Sequence, residues 1–341
     1  MRDNQLTTCL LCGGDASLKD KAHTGYIEDQ LFQIYHCRNC HTAFSMPRIE
    51  DTKELYETIY RKGGAIPGYS RYWNYAENAK TQEKPLDYLA EAENVYWGVR
   101  EALRQSGAIK DSAKLLEVGS GLGYLTYALR KSGYDCHGLD ISATAVNQAR
   151  LEYGNYYTCD NVFDFAENKS ECFDLIILTE VIEHIDAPLS VFKALWRLTK
   201  HHGRIVITTP NKSFFPQDII WVGEGPPVHY WWFSEESMSY IARQVNADIS
   251  FVDFREFYRN HYTWADIRKL RNNPNCVSVL DISGEVIKYS EQQQAHPIVE
   301  PFRKCFSRLP FLKKSVRRIL NPSIIIGGRR GPIMCAIFEK F

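Results

Sequence analysis

Three groups of residues in this sequence have types and spacings that chemistry can use. The first is Glu180, Glu183 and His184, at i, i+3 and i+4. If that segment is helical, all three project from one face, where two carboxylates and an imidazole could bind a divalent cation or hold a general base. His229 follows downstream, after Thr209-Pro210-Asn211 and ahead of Phe233-Ser234. The second group is a glycine string, Gly119-Ser120-Gly121-Leu122-Gly123, preceded by Glu117. Glycines let a turn approach a ligand closely, and a helix starting there offers free N–H groups to an anion. The third is Cys9, Cys12, Cys37 and Cys40, two CxxC pairs separated by 24 residues. Each pair puts two thiolates on one tight turn, and two such turns supply the four sulfurs that a structural Zn²⁺ prefers. A closed four-sulfur site has no open coordination position, so this zinc should fold its module and take no part in chemistry.

The elements that must position these groups follow from apolar patterning. Residues 114–118 read as a buried strand that runs into the glycine turn, and Tyr124, Leu125, Ala128 and Leu129 then recur at helical spacing. Strand, turn and helix make the first βα unit of a nucleotide-binding α/β sheet. Residues 134–140 form a second strand ending in Asp140, where a carboxylate can accept from two ribose hydroxyls. A dinucleotide fold would want a glycine at position 124, which is Tyr124. Further strands are expected over 157–162, 172–178, 204–208 and 249–252, with a last one over 332–338. Asp186-Ala187-Pro188 should cap and open a helix that closes at His202-Gly203, and Ser234 should cap another running to about Val245.

The run E-x-G-x-G-x-G from Glu117 through Gly123 resembles motif I of class I S-adenosylmethionine-dependent methyltransferases, and the later segments fit that family's order. The resemblance covers roughly residues 110–256 and the C-terminal strand. It implies an α/β fold: a Rossmann-like, seven-stranded doubly wound sheet whose antiparallel last strand lies beside the sixth, here with a small N-terminal zinc ribbon. It implies that Glu117, Gly119, Gly121 and Gly123 cradle the methionine part of S-adenosylmethionine, that Asp140 takes the ribose, and that Asp160 with Asn161 frames the adenine. Ile141 and Thr179 complete the implied cofactor set. The string EVIEH, then TPN, then H-x-x-x-F is similar to small-RNA 2′-O-methyltransferases and to ubiquinone-pathway O-methyltransferases. In the first of these groups two glutamates and two histidines hold a metal. Carried over position by position, Glu180, Glu183, His184 and His229 make a candidate second divalent site, although the histidine-to-phenylalanine spacing after TPN departs by insertion. Other relatives with the same string imply a base, His184 oriented by Glu183 with His229 nearby, or a brace for the loop. All three roles stay open.

The organisation expected is a ribbon over 1–50, a helical linker and lid over 51–110, the core over 111–256 and 331–341, and an insertion over 257–330. Two aromatic segments, 69–75 and 221–233, should flank the pocket, because loops at the carboxyl edge of an open α/β sheet form the ligand crevice. The insertion ends in nine lysines and arginines between Glu300 and Glu339 with no acid among them. Interleaved with apolar residues, they resemble a basic amphipathic stretch that could rest on an anionic membrane surface or contact a polyanionic acceptor.

Composition narrows the field. Across 341 residues Lys+Arg and Asp+Glu are 41 each, apolar residues are 44% and charged residues 24%. This is the balance of a globular protein and excludes disorder, collagen and a disulfide-stapled miniprotein. Zero net charge makes a nucleic-acid partner less expected. A polar N-terminus, no run of about 18 apolar residues and paired cysteines point to a cytoplasmic protein. The ribbon followed by Phe44-Ser45-Met46-Pro47-Arg48 resembles bacterial enzymes of surface-polysaccharide and secondary-metabolite pathways. The expected activity is therefore O-methylation of a small-molecule or glycan acceptor. An RNA methyltransferase whose ribbon reads nucleic acid, and a cofactor-binding scaffold without turnover, are the alternatives.

Overall fold

The computed structural model describes residues 6–49, 51–66, 68–105, 113–215, 225–262, 277–288 and 331–341. The basic stretch after Glu300 and the aromatic Trp221 lie outside the described residues.

The chain opens with four antiparallel strands, β1 (Leu6–Thr8), β2 (Asp15–Thr24), β3 (Leu31–Cys37) and β4 (Ala43–Met46). Gly13, with φ +73°, lets the first cysteine turn close so that Cys9 N–H donates to the Gly14 carbonyl at 2.7 Å. Four helices follow: α1 (Lys53–Lys62), α2 (Ser70–Ala79), α3 (Pro85–Ala92) and α4 (Asn94–Gln105). Pro85 sits in the first turn of α3, where its missing N–H costs nothing. Val95, Val99, Ala102 and Leu103 form the buried stripe of α4, which lies against the central sheet.

The remainder alternates: β5 (Lys114–Val118), α5 (Tyr124–Lys131), β6 (Asp135–Asp140), α6 (Ala143–Tyr153), β7 (Tyr157–Cys159), α7 (Val162–Ala166), β8 (Phe173–Thr179), α8 (Pro188–Leu198) and β9 (Thr199–Pro210). Then come the two-residue β10 (Trp231–Trp232), α9 (Glu235–Arg243), β11 (Asp248–Phe251), α10 (Arg255–His261) and β12 (Ile333–Glu339). Seven strands form one sheet in the order β11-β12-β9-β8-β5-β6-β7. β5 to β9 are parallel, and β12 is inserted antiparallel between β9 and β11. Leu175–Leu178 and Ile205–Ile207 are buried without alternation, as strands covered by helices on both faces must be. This is the seven-stranded doubly wound arrangement that the sequence predicts. The strand order reverses between β5 and β8, so the crevice opens at their carboxyl ends.

β10 pairs not with this sheet but with β4, Phe44 opposite Trp231 and Ala43 opposite Trp232, giving the ribbon a fifth strand from the far side of the core. Tyr35, Cys37, Cys40 and Phe44 consequently share one apolar cluster with Trp231, Phe233, Met238 and the inner face of β8.

Two local expectations change. α8 ends at Leu198 rather than at His202-Gly203, because β9 begins at Thr199 and pairs on both sides: Thr199 faces Phe173, and His202 N–H donates to the Lys340 carbonyl at 2.8 Å. Asp186 does not cap α8; Ala187 holds that place without a side-chain bond, and Asp186 instead faces Arg48 at 3.8 Å. Ser234 does cap α9, in a capping box with Ser237.

Candidate active site

A cavity of about 830 Å³ lies at the carboxyl edge of the sheet. Its first half is built by one contiguous stretch. β5 ends in Glu117 and Val118, and the chain then turns through Gly119, Gly121 and Gly123, at φ +74°, +49° and +82°. A Cβ on Gly119 would lie 2.3 Å from Val181, and one on Gly123 would lie 2.6 Å from Ala149, so side chains are excluded at both by packing as well as by φ. Gly121 N–H donates to Asp140 Oδ2 at 2.7 Å and Ser142 N–H to Oδ1 at 2.9 Å, which orients the Asp140 carboxylate at the end of β6. Burial pushes the Asp140 carboxyl upward against these bonds. Burial also raises Glu117 to about 8, the Thr126 hydroxyl bonded to it pulling the other way.

Asp160 follows β7 with its backbone tied to the Asp140 carbonyl at 3.0 Å, and its Oδ1 accepts from Asn161 N–H at 2.9 Å. The Asn161 side chain caps α7 by accepting from Phe163 and Asp164, so it shapes this loop through the backbone. Ile141 is 67% exposed and Phe163 50% exposed, two apolar faces on the cavity wall suited to a planar base. Ser120 Oγ and Thr179 Oγ1 also line the cavity, buried and without a hydrogen-bond partner among the described residues. Orphaned hydroxyls, an oriented carboxylate and a glycine turn fit a polar, ribose-bearing ligand such as S-adenosylmethionine.

The second half holds the acid and histidine group, and here the expected helix is replaced. Residues 181–184 form a turn closed by His184 N–H to the Val181 carbonyl at 3.0 Å, and Glu180 takes φ +54° while its N–H donates to Thr208 at 3.0 Å. Pairing of the β8 end with β9 overrides the helical spacing. Glu183, His184 and His229 are nevertheless brought together, each with a ligand atom within 4.8 Å of the others'. Glu180 stands outside that grouping but lines the cavity. Glu183 is fully buried and accepts from Thr209 Oγ1 at 3.0 Å. His184 Nδ1 lies 2.8 Å from the Val228 carbonyl, which can only accept; Nδ1 therefore carries the hydrogen, and in the neutral ring Nε2 keeps the lone pair. The His184 and His229 rings meet edge-on at 4.6 Å.

α1, the first helix of the linker and lid expected over 51–110, covers both halves. Tyr56 and Tyr60, at i and i+4, share one face: Tyr56 lies edge-on to His184 at 6.2 Å, and the Tyr60 hydroxyl lies 3.2 Å from where a Cβ on Gly121 would be. Glu57 ties the helix down by accepting from Ser142 Oγ at 3.0 Å and Thr144 Oγ1 at 2.5 Å. Tyr69, Arg71, Tyr72 and Trp73 line the cavity as expected of the first aromatic segment. Arg71 is held by Glu93 at 3.2 Å and the Tyr72 hydroxyl at 2.7 Å. The second aromatic segment differs: of its described residues, His229 faces the cavity, while Tyr230, Trp231, Trp232 and Phe233 are buried against the ribbon through the β4–β10 pairing.

In the ribbon, the four cysteine sulfurs lie within 4.8 Å of one another, with Cys9 to Cys40 at 3.6 Å and Cys12 to Cys37 at 3.4 Å. A tetrahedral ion with sulfur at about 2.3 Å separates its ligands by about 3.8 Å, so the group could hold Zn²⁺. Gly14 N–H and the Asn39 amide both point at Cys12 Sγ at 3.4 Å, as donors to a thiolate do.

Residues 91–250, just under half of the chain, match the family described as a methyltransferase domain. Over 153 residues the chain is 29% identical to the ubiquinone biosynthesis O-methyltransferase of Aliivibrio fischeri, covering 42% of this chain and 59% of that protein. It is 32% identical to the enzyme of the same description from Yersinia enterocolitica over 153 residues, 42% of this chain and 57% of that one. The chain thus spans somewhat under two thirds of the length of these curated relatives. Among solved structures, a SAM-dependent methyltransferase from Archaeoglobus fulgidus is similar with a TM-score of 0.44 and 14% identity, covering 79% of this chain and 99% of that one.

Proposed function

We propose that the chain, working through the methyltransferase domain of residues 91–250, carries the methyl group of S-adenosylmethionine to a hydroxyl of a sugar-containing or secondary-metabolite acceptor. A structural Zn²⁺ on Cys9, Cys12, Cys37 and Cys40 belongs to the same proposal. The observation that carries it is continuity: one cavity runs from the glycine turn and Asp140 to His184 and His229.

When bound, S-adenosylmethionine supplies an electrophilic methyl group on a sulfonium. Glu117 and the turn from Gly119 to Gly123 would hold its methionine part, Asp140 its ribose, and the loop of Asp160 and Asn161, walled by Ile141 and Phe163, its adenine. What remains for the protein is alignment of acceptor oxygen, methyl and sulfur, and exclusion of water. α1 closes the cavity over both half-sites. His184 accepts the hydroxyl proton at Nε2, since Val228 fixes the hydrogen on Nδ1. The tyrosines and Trp73 offer flat faces on which a sugar or aromatic acceptor can stack.

A divalent ion held by Glu183, His184 and His229 is the second reading. It is favoured by the same Nδ1–H bond to a carbonyl, which metal-ligating histidines commonly make. Such an ion would engage the acceptor oxygen in place of a base.

Incubation with tritium-methyl S-adenosylmethionine, followed by separation into polysaccharide, RNA and small-molecule fractions, tests the proposal. Label in a glycan or small-molecule fraction supports it. Label in RNA moves the acceptor to nucleic acid. Cofactor binding with no label in any fraction leaves a scaffold. A chelator that abolishes transfer while zinc stays on the four cysteines, reversed by a divalent ion, selects the metal reading; one that leaves transfer untouched eliminates it.

A further inference from the structure

We propose that the cysteine ribbon positions the reacting histidines, with Arg48 at its exit as the positioning residue, acting through the segment from Val228 to Trp232. The inference rests on the proposed reading of His184 as the acceptor-side base or ligand. The ribbon is stitched to that segment strand to strand: Ser45 N–H donates to the Tyr230 carbonyl at 3.0 Å, and Phe44 pairs with Trp231. From its other edge the same segment reaches the turn of the acid and histidine group. Tyr230 N–H donates to the Glu183 carbonyl at 2.9 Å, and Trp231 Nε1 to the Ile185 carbonyl at 2.7 Å. His184 lies between those two bonds, and the Val228 carbonyl that fixes its tautomer belongs to the clamped segment.

Arg48 locks the junction. Its guanidinium lies over the rings of Tyr230 and Trp231, at 4.2 and 4.4 Å, with Nε 3.8 Å from Asp186, two residues beyond His184. Among the described residues this largely buried guanidinium makes no hydrogen bond and is held by these ring and charge contacts, so removing it loosens both loops it touches. The path from the cysteines is short, since β4 begins three residues after Cys40 and the His41 carbonyl accepts from Ser234 Oγ at 3.2 Å. The ribbon turn also reaches the acceptor side at its other end: Tyr26 lines the cavity, and its N–H donates to the Pro226 carbonyl at 2.8 Å. None of these bonds touches the glycine turn or Asp140, so the cofactor half should stand without them.

The test reads the His184 tautomer directly, which needs no acceptor. Full-length protein carrying ¹⁵N-histidine is compared as wild type, as Arg48→Met, as Tyr230→Phe (which removes the hydroxyl's bonds to Ile49 and keeps the ring), and after zinc withdrawal with a chelator. His184→Gln assigns the signal. At about pH 8.5, where an ordinary imidazole is neutral, wild type should show the hydrogen on Nδ1. Arg48→Met and the zinc-free protein should shift it toward Nε2, with Tyr230→Phe between. Cofactor affinity by calorimetry should stay within about three-fold of wild type, while transfer to acceptor falls about 10- to 100-fold through kcat. An unchanged tautomer in both Arg48→Met and the zinc-free protein overturns the inference, as does cofactor affinity that falls in step with transfer. If wild type binds no cofactor at all, the functional proposal fails, and the tautomer result still decides this one.

Discussion

The proposed cofactor half of the cavity is assembled mostly from one stretch, Glu117 to Phe163, with Thr179 and α1 added, whereas the proposed acceptor half gathers Tyr26, Tyr56, Tyr72, His184, His229 and Val279 from six separate places in the chain. In the first half each element positions the next: β5 delivers the glycine turn, the turn hydrogen-bonds the acid that ends β6, and that acid's backbone holds the loop after β7. In the second, long-range contacts tie much of the wall, such as Ser45 on Tyr230, Tyr56 on Val228 or Tyr26 on Val279. A site of the first kind keeps binding when distant parts are perturbed. A site of the second kind loses catalysis first.

That contrast can be broken or sharpened in order of effect. The largest is expected from His184→Ala, which removes the proposed proton acceptor: transfer should fall about 10²- to 10⁴-fold while cofactor affinity by calorimetry stays within about two-fold. Next is Gly119→Ala. Its Cβ would meet Val181 at 2.3 Å in a left-handed backbone, and strain of about 1–3 kcal/mol should weaken cofactor binding by roughly 5- to 150-fold. A smaller, pH-dependent effect comes from Glu117. Its carboxyl is raised by burial to about 8 from an ordinary 4.5, so the stability it contributes is fully present below about pH 4.5 and is lost as pH rises through 8. The thermal stability of the cofactor-free protein should therefore fall between pH 5 and 8, and Glu117→Gln should flatten that slope. The cationic cofactor should reverse it by favouring the ionised carboxylate. Smallest is Glu57→Gln, which weakens the two hydroxyl bonds that close α1; about 0.5–1.5 kcal/mol corresponds to roughly two- to ten-fold in cofactor affinity.

Legibility in the sequence divides along the same line. The strand, glycine turn, helix and second-strand acid could be read because they are neighbours in the chain and follow local periodicity. The seven-stranded order with its antiparallel last strand followed from the resemblance those residues carry. The turn at 181–184 could not be read: i, i+3, i+4 spacing speaks for a helix, and only pairing of Glu180 with Thr208 on the neighbouring strand decides otherwise. β9 begins earlier than its apolar run suggests for the same reason, since Thr199 and His202 are recruited by Phe173 and Lys340. The segment from Tyr230 to Phe233 is a fair example of the rest: its aromatics look like a pocket wall in sequence and become core because β4, from the far N-terminal ribbon, supplies the partner for Trp231 and Trp232. No helix among the described residues is long and apolar enough to cross a membrane.

The measurement closest to the central claim is calorimetric titration of the full-length protein with S-adenosylmethionine, its demethylated product and a nicotinamide dinucleotide. Saturable one-to-one binding of the first two at about 1–100 μM, weakened roughly 5- to 150-fold in Gly119→Ala and absent for the dinucleotide, is the predicted result. Heat from the dinucleotide alone, or none from the methyl donor at millimolar concentration, would contradict it.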